Sequence, residues 1–174
     1  MEKLNYNDIK LKFINEEYNF TELIKEGISF DEEGMCYYDT NDIDSYIEKV
    51  KNSFVVFGIF NNQELIGISM IGQIDNLDPD KFAISINIKK EYRGKKIGSL
   101  CLPMVVDSAF SLCGAKTIHI CARKDNIPSN KIIKNMKFKL YSGYKDDEYF
   151  ITKNGEKLEQ NQYMLDYEDY IYNK

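Results

Sequence analysis

The run from Ile84 to Leu100, Ile-Ser-Ile-Asn-Ile-Lys-Lys-Glu-Tyr-Arg-Gly-Lys-Lys-Ile-Gly-Ser-Leu, restricts the folds open to this chain more than any other stretch. Apolar residues alternate at Ile84, Ile86 and Ile88, which predicts a strand. The alternation stops at a basic, glycine-containing turn, and a helical pattern begins at once. A strand that passes through such a turn into a helix aims backbone N–H groups, and the positive end of the helix dipole, at one point. Between Lys89 and Lys96 stand four Lys and one Arg against Glu91, a local charge of +4 on a chain of net charge −5. That is a site prepared for the pyrophosphate of a phosphorylated cofactor.

The rest of the chain narrows the class. Its 174 residues suit one domain, 1–174, with a core large enough to need no metal or disulfide. No apolar run reaches the roughly eighteen residues of a membrane span, and Met1-Glu-Lys-Leu-Asn5 carries no signal-peptide core, so the expected compartment is the cytoplasm, with no membrane partner. Cys36, Cys101, Cys113 and Cys121 show no C-x-x-C spacing and His119 is the single histidine, so no zinc site is expected. A pI near 5.0 argues against nucleic acid as a partner.

The pattern predicts a strand at Lys10–Ile14, helices at Asn15–Lys25 and Asn41–Lys51, and a hairpin of Phe54–Phe60 and Leu65–Gln73. A loop through Asp78-Pro79-Asp80 leads to a strand at Phe82–Ile88. After the basic turn, Ile97, Leu100, Met104, Val105, Ser108 and Leu112 mark the expected inner face of a helix that Gly114 ends. Then come a strand at Thr117–Ala122, a helix at Ser129–Met136, a strand at Phe138–Tyr144, a polar excursion over Lys145–Gln160, and a closing strand at Gln162–Tyr167. The class is α/β (α+β), a mixed central sheet of about seven strands with helices on both faces.

This order, together with two motifs, resembles the GNAT N-acetyltransferases. The cofactor motif of that family, (Gln/Arg)-x-x-Gly-x-(Gly/Ala), is matched by Arg93-Gly94-Lys95-Lys96-Ile97-Gly98, with Lys96 in place of the first motif glycine. Downstream, Asn126-Ile-Pro-Ser129-Asn-Lys-Ile-Ile-Lys-Asn-Met-Lys-Phe138 is similar to the family's Asn-x-x-(Ser/Ala)…Gly-Phe segment, nearest the ribosomal-protein-type branch, with Lys137 in place of the glycine. Tyr163-Met-Leu165 is similar to the family's closing strand. The likeness is close from Ile84 to Phe138 and rests elsewhere on element order.

The resemblance implies acetyl-CoA as cosubstrate. Its pantetheine arm would pair with the backbone of Ile86 and Ile88 where two parallel strands part. Its pyrophosphate would lie on the N–H groups of Arg93, Gly94, Lys95, Lys96, Ile97, Gly98 and Ser99. Asn126 and Ser129 would reach the sulfur end, and Lys131 or Lys134 the adenosine phosphates. It implies attack by an amine on the thioester with both substrates bound. The amine, of pKa ~10, must lose a proton, the carbonyl oxygen needs a donor, and the sulfur must be reprotonated. The Ile88 N–H is the implied donor and Ser129 the implied acid. A water held by Asn87 or Ser85 is the base. Two groups familiar in the family are absent, since Ile133 and Cys121 stand at the positions of its Tyr and Glu.

Each of these residues also has a plainer reading. Ser129 suits an N-cap, His119 a buried structural histidine and Cys121 simple packing. Asp31–Lys49 carries seven acids against one Lys, which fits a solvated acidic surface first, and also a cationic acceptor such as a polyamine, an aminoglycoside-like amine or a basic peptide N-terminus. The C-terminal tyrosines suit an acceptor pocket, a dimer surface or sheet packing, and edge strands leave room for a homodimer. Two functions follow: an N-acetyltransferase acting on a primary amine, or a catalytically silent CoA-binding sensor.

Overall fold

A computed structural model describes residues 8–14, 55–75, 78–143, 149–151 and 156–173. Its strands are β1 (Ile9–Phe13), β2 (Val55–Asn61), β3 (Glu64–Asp75), β4 (Asp78–Ile88), β5 (Thr117–Arg123), β6 (Lys139–Tyr141), β7 (Tyr149–Ile151) and β8 (Lys157–Asp166). The described helices are α1 (Ile97–Ser111), α2 (Ile127–Asn135) and α3 (Tyr167–Tyr172), with a 3-10 turn at Lys90–Tyr92 before α1. The two helices expected between β1 and β2, and the acid-rich stretch Asp31–Lys49, lie outside the described residues.

The strands form one mixed sheet in the order β1-β2-β3-β4-β5-β8-β6, and β7 pairs with β8 off that path. Every pairing is antiparallel except β4–β5. Because side chains alternate across a strand, the register sorts the two faces. Phe82, Ile84 and Ile86 of β4, Ile118, Ile120 and Ala122 of β5, and Tyr163 and Leu165 of β8 pack with Leu102, Val105 and Ala109 of α1 and Ile133 of α2. A second cluster joins Ile9, Ile59 and Ile66 to Ile97 and Cys101 at the start of α1. α1 and α2 therefore share one face of the sheet.

α1 is turned from the expected face. It buries Ile97, Cys101, Leu102, Val105, Val106, Ala109 and Phe110, whereas Leu100, Met104 and Leu112 are exposed. Leu100-Cys-Leu-Pro-Met-Val-Val106 is apolar throughout, so its period alone selects no face. Gly114, at φ 69°, ends the helix as expected, and Ala115 N–H returns to the Ala109 carbonyl at 3.1 Å.

Three boundaries move because pairing overrides local preference. The Asp78-Pro79-Asp80 loop is the start of β4, with Asp78 opposite Asp75. β6 stops at Tyr141, and Phe138 before it is a buried core residue. The polar excursion contains β7 and the first half of β8, which begins at Lys157 and runs against β5 and β7. The short α3 was not foreseen. No described helix is long and apolar enough to cross a membrane.

Candidate active site

The central feature is a gap inside the sheet. β4 and β5 pair in parallel only at Lys81–Ala83 against Thr117–His119, although β4 continues to Ile88 and β5 to Arg123. Which main-chain groups face that gap follows from the neighbours. Lys89 N–H donates to the Ile66 carbonyl at 2.9 Å, so alternation turns the main chain of Ser85, Asn87 and Lys89 toward β3. The main chain of Ile86 and Ile88 then faces the gap. On the far side, Lys124 N–H donates to the Glu159 carbonyl at 2.8 Å, which turns Cys121 and Arg123 toward it. The result is a notch walled by backbone amides from two strands.

Arg93 closes one end. Its Nε donates to the Ile88 carbonyl at 2.9 Å, occupying that oxygen while leaving the Ile88 N–H directed into the notch. Arg93 N–H itself donates to the Lys90 carbonyl at 3.1 Å, so the expected row of anion-binding N–H groups starts after it, not at it. Gly94 has φ 73° and Lys96 φ 61°, and α1 starts from Lys96 with no side-chain cap and no acid in its first turn. Lys96 therefore adopts the left-handed conformation that the motif glycine would adopt freely, at a cost of about 1–2 kcal/mol. Lys137, which also replaces a glycine, does the same with φ 66° at the end of α2. Lys95 Nζ lies 4.8 Å from the Tyr92 ring centroid, and Tyr92 hydroxyl donates to Glu64 Oε2 at 2.6 Å. At Gly98 a Cβ would meet nothing nearer than Ile132 Cδ1 at 3.7 Å, so the protein itself leaves room for a side chain there.

The β5–α2 junction supplies the other residues. Asn126, not Ser129, is the N-cap: its Oδ1 accepts the Ser129 N–H at 3.2 Å, and Pro128 stands in the first turn. Ser129 is the third residue of α2, in its first turn, and half-buried, and its hydroxyl makes no hydrogen bond among the described residues. The capping reading of Ser129 is thereby replaced. Lys131 and Lys134 are exposed. Ile133, where the family's Tyr would stand, is 2% exposed and belongs to the core.

Sequence reasoning missed Asn130. It is buried, and its amide meets four partners. Nδ2 donates to the Arg123 carbonyl at 2.7 Å and the Asn126 carbonyl at 2.8 Å, while Oδ1 accepts from Asn161 Nδ2 at 2.7 Å and Tyr163 hydroxyl at 2.6 Å. One side chain thus ties the end of β5, the cap of α2 and β8 together. An asparagine inside an otherwise periodic helix was the available signal.

Ser85 and Asn87 project from β4 on the face away from α1, opposite Met70 and Ile68. Ser85 Oγ is buried and meets no hydrogen-bond partner among the described residues. His119, on the same face, sits where β4 and β5 still pair, and its ring meets Tyr141 edge-on at 5.3 Å. Burial, then the charge of Lys81, lowers its pKa, so it is a neutral packed histidine below the notch. The thiol of Cys101, inside the core, is pushed up to about 11 by burial. Cys121 is half-buried on β5 opposite Gln162.

A family model described as the acetyltransferase (GNAT) family matches residues 14–138. No curated protein matches the chain. Among solved structures, spermidine N-acetyltransferase from Vibrio cholerae aligns with TM-score 0.74 at 15% identity, covering 97% of this chain and 99% of that one. The Campylobacter jejuni N-acetyltransferase PseH aligns with TM-score 0.58 at 18% identity, covering 92% and 99%. Identities this low show the shared fold and nothing finer.

Proposed function

Because this chain belongs to the acetyltransferase (GNAT) family, an N-acetyltransferase fold that uses acetyl-CoA, we propose that it transfers acetyl from acetyl-CoA to a primary amine by direct attack, with both substrates bound together. The observation that carries this reading is the notch, where β4 and β5 stop pairing and leave the main chain of Ile86 and Ile88 facing a gap. An extended arm containing amides replaces the missing strand's hydrogen bonds there.

The residues fit that cosubstrate. Ile86 would hold the pantetheine arm, and Ile88, whose carbonyl Arg93 occupies, would offer its N–H at the thioester end of that arm. The N–H groups of Gly94, Lys95, Lys96, Ile97, Gly98 and Ser99 would hold the pyrophosphate, and Arg93 acts by fixing Ile88. The space above Gly98 stays open for close approach of a phosphate. Lys131 meets the adenosine phosphates, and Asn126 orders the helix start that presents Ser129. The likeness of Asn126–Phe138 supports a place near the ribosomal-protein-type branch.

The bound thioester supplies a carbonyl whose oxygen gains charge as the amine attacks. Ile88 N–H donates to that oxygen. Ser129 hydroxyl, free of capping duty, returns a proton to the departing sulfur. Ser85 and Asn87 hold the water that takes the proton of the amine. With the family's Tyr and Glu replaced, much of the acceleration comes from positioning.

Calorimetric titration with acetyl-CoA, followed by thiol release with a panel of amines, tests the reading. Micromolar binding with amine-dependent release is expected. Binding without release from any amine would leave a silent CoA sensor, and no binding would remove the notch assignment altogether.

A further inference from the structure

Between the sheet and α1 the chain crosses the basic turn, and two residues there are left-handed, Gly94 at φ 73° and Lys96 at φ 61°. A lysine in that conformation persists only where its surroundings hold it. Lys95 stands between the two, and its Nζ lies over the Tyr92 ring, 4.8 Å from the centroid. Tyr92 in turn is held twice. Its ring packs against the small cluster of Ile9, Ile59, Ile66, Ile97 and Cys101, which includes the first residue of α1. Its hydroxyl donates to Glu64 Oε2 at 2.6 Å, at the start of β3 and 28 residues away in the chain. Asn61, paired with Glu64 across the β2–β3 hairpin, also meets that hydroxyl. The bond to Glu64, then burial, raises the pKa of Tyr92, so the hydroxyl keeps its proton and stays a donor at neutral pH. A carboxylate drawn onto a basic turn opposes anion binding by its charge, so Glu64 is out of place there unless it serves as an acceptor.

We propose that Tyr92 is a positioning residue for the pyrophosphate site. Tied to Glu64 through its hydroxyl and carrying Lys95 on its ring, it fixes Gly94, Lys95 and Lys96 in the shape that gathers their N–H groups. This rests on the acetyltransferase reading above and adds to it how the turn is preorganised. A turn already held in its binding shape spares the cost of ordering it when the ligand arrives. The hairpin therefore contributes to cosubstrate affinity through Tyr92 rather than by contact.

The test sets acetyl-CoA against S-acetylpantetheine, which keeps the arm and thioester and lacks the pyrophosphate. Calorimetry with the full chain reads the first, and saturation-transfer NMR the second. In Tyr92→Phe the acetyl-CoA dissociation constant should rise roughly fivefold, about what one hydrogen bond supports, with the ring still under Lys95. Tyr92→Leu loses the ring as well and should reach roughly twentyfold. Glu64→Leu should match Tyr92→Phe, and Glu64→Gln, which still accepts the bond, should recover the affinity. Combined, Tyr92→Phe and Glu64→Leu should be no worse than either alone. S-acetylpantetheine should bind every variant alike, which a general loosening of the fold would not allow. Losses shared by both ligands overturn the proposal, and so does wild-type affinity for acetyl-CoA in Tyr92→Phe and Glu64→Leu. If Tyr92→Leu melts early, those two variants still decide. Wild-type protein that binds no acetyl-CoA would instead remove the acetyltransferase reading, and this inference with it.

Discussion

Tyr163 hydroxyl donates to Asn130 Oδ1 at 2.6 Å, from a tyrosine with no exposed surface to an asparagine that is 6% exposed. This bond carries the position of α2, and with it Ser129, onto the sheet. Asn130→Ala would leave the Tyr163 hydroxyl and Asn161 Nδ2 without their acceptor, while the Arg123 and Asn126 carbonyls keep their backbone donors, at a cost of about 2–3 kcal/mol, since an unmade buried bond costs more than a made one contributes. Tyr163→Phe should cost about 1–1.5 kcal/mol, because only Oδ1 loses one of its two donors. Urea unfolding measures both, and equal effects would mean that the network is not shared.

Ser129→Ala should lower kcat by roughly 10²-fold, the usual scale for a lost general acid, while acetyl-CoA affinity stays constant. Ser129 does not cap α2, so the melting temperature should hold. A drop in stability with kcat intact would return the residue to a structural role.

Lys96→Gly separates strain from charge. Relief of the left-handed conformation at φ 61° should stabilise the fold by about 1 kcal/mol, or about 2–4 °C in Tm. Removal of the charge should weaken acetyl-CoA binding and flatten its salt dependence. Lys137→Gly should show the stability gain, at φ 66°, and is the internal comparison.

Legibility varied with the physics involved. β4 and the turn into α1 could be read directly, because alternation and a glycine are local signals. The parting of β4 from β5 could not, since it depends on where two distant strands stop pairing. Asn126 and Ser129 are both capping types, and choosing between them needed the Pro128 signal of a first helical turn. The face of α1 was misjudged because Leu100 to Val106 offers no polar punctuation. Lys157 to Gln160 read as loop because its residues are polar, yet pairing with β7 over Lys157–Glu159 and with β5 from Gln160 onward makes it strand. Lys96 and Lys137 show that the backbone keeps a glycine conformation even where the sequence no longer announces it.

His119 gives the fold an acid-side weakness. Its folded-state pKa lies below the ordinary 6.5, first through burial and then through Lys81, while Asp166 and Asp78 oppose the shift. The unfolded chain then binds more protons, so stability is full above about pH 6.5 and falls as pH drops from there toward the folded pKa. In His119→Gln that part of the slope between pH 7.5 and 5.5 should vanish. An unchanged slope in urea unfolding would assign it elsewhere.

Gly67→Ala should disable the site from a distance. An added Cβ would come within 3.1 Å of Ile88 Cα and still closer to the Asn87 carbonyl oxygen, both backbone atoms. β4 must shift where it faces the notch, so acetyl-CoA affinity and stability should fall together. Retained affinity would show that the notch tolerates movement of β4.

The three residue pairs that join β4 to β5 have a consequence for the molecule at rest. The sheet is two ladders, β1 to β4 and β5 to β8, laced together at one end and bridged elsewhere by α1 and α2. Along the open length, the amide protons of Ile86 and Ile88 have no described strand to shelter them and should exchange with solvent quickly, while those of Phe82 and Ile118 exchange slowly. A ligand lying in the notch then behaves as a removable rung. Each round of binding and release would tighten and loosen the seam between the ladders, and the protein would be most open to unfolding in the interval between them.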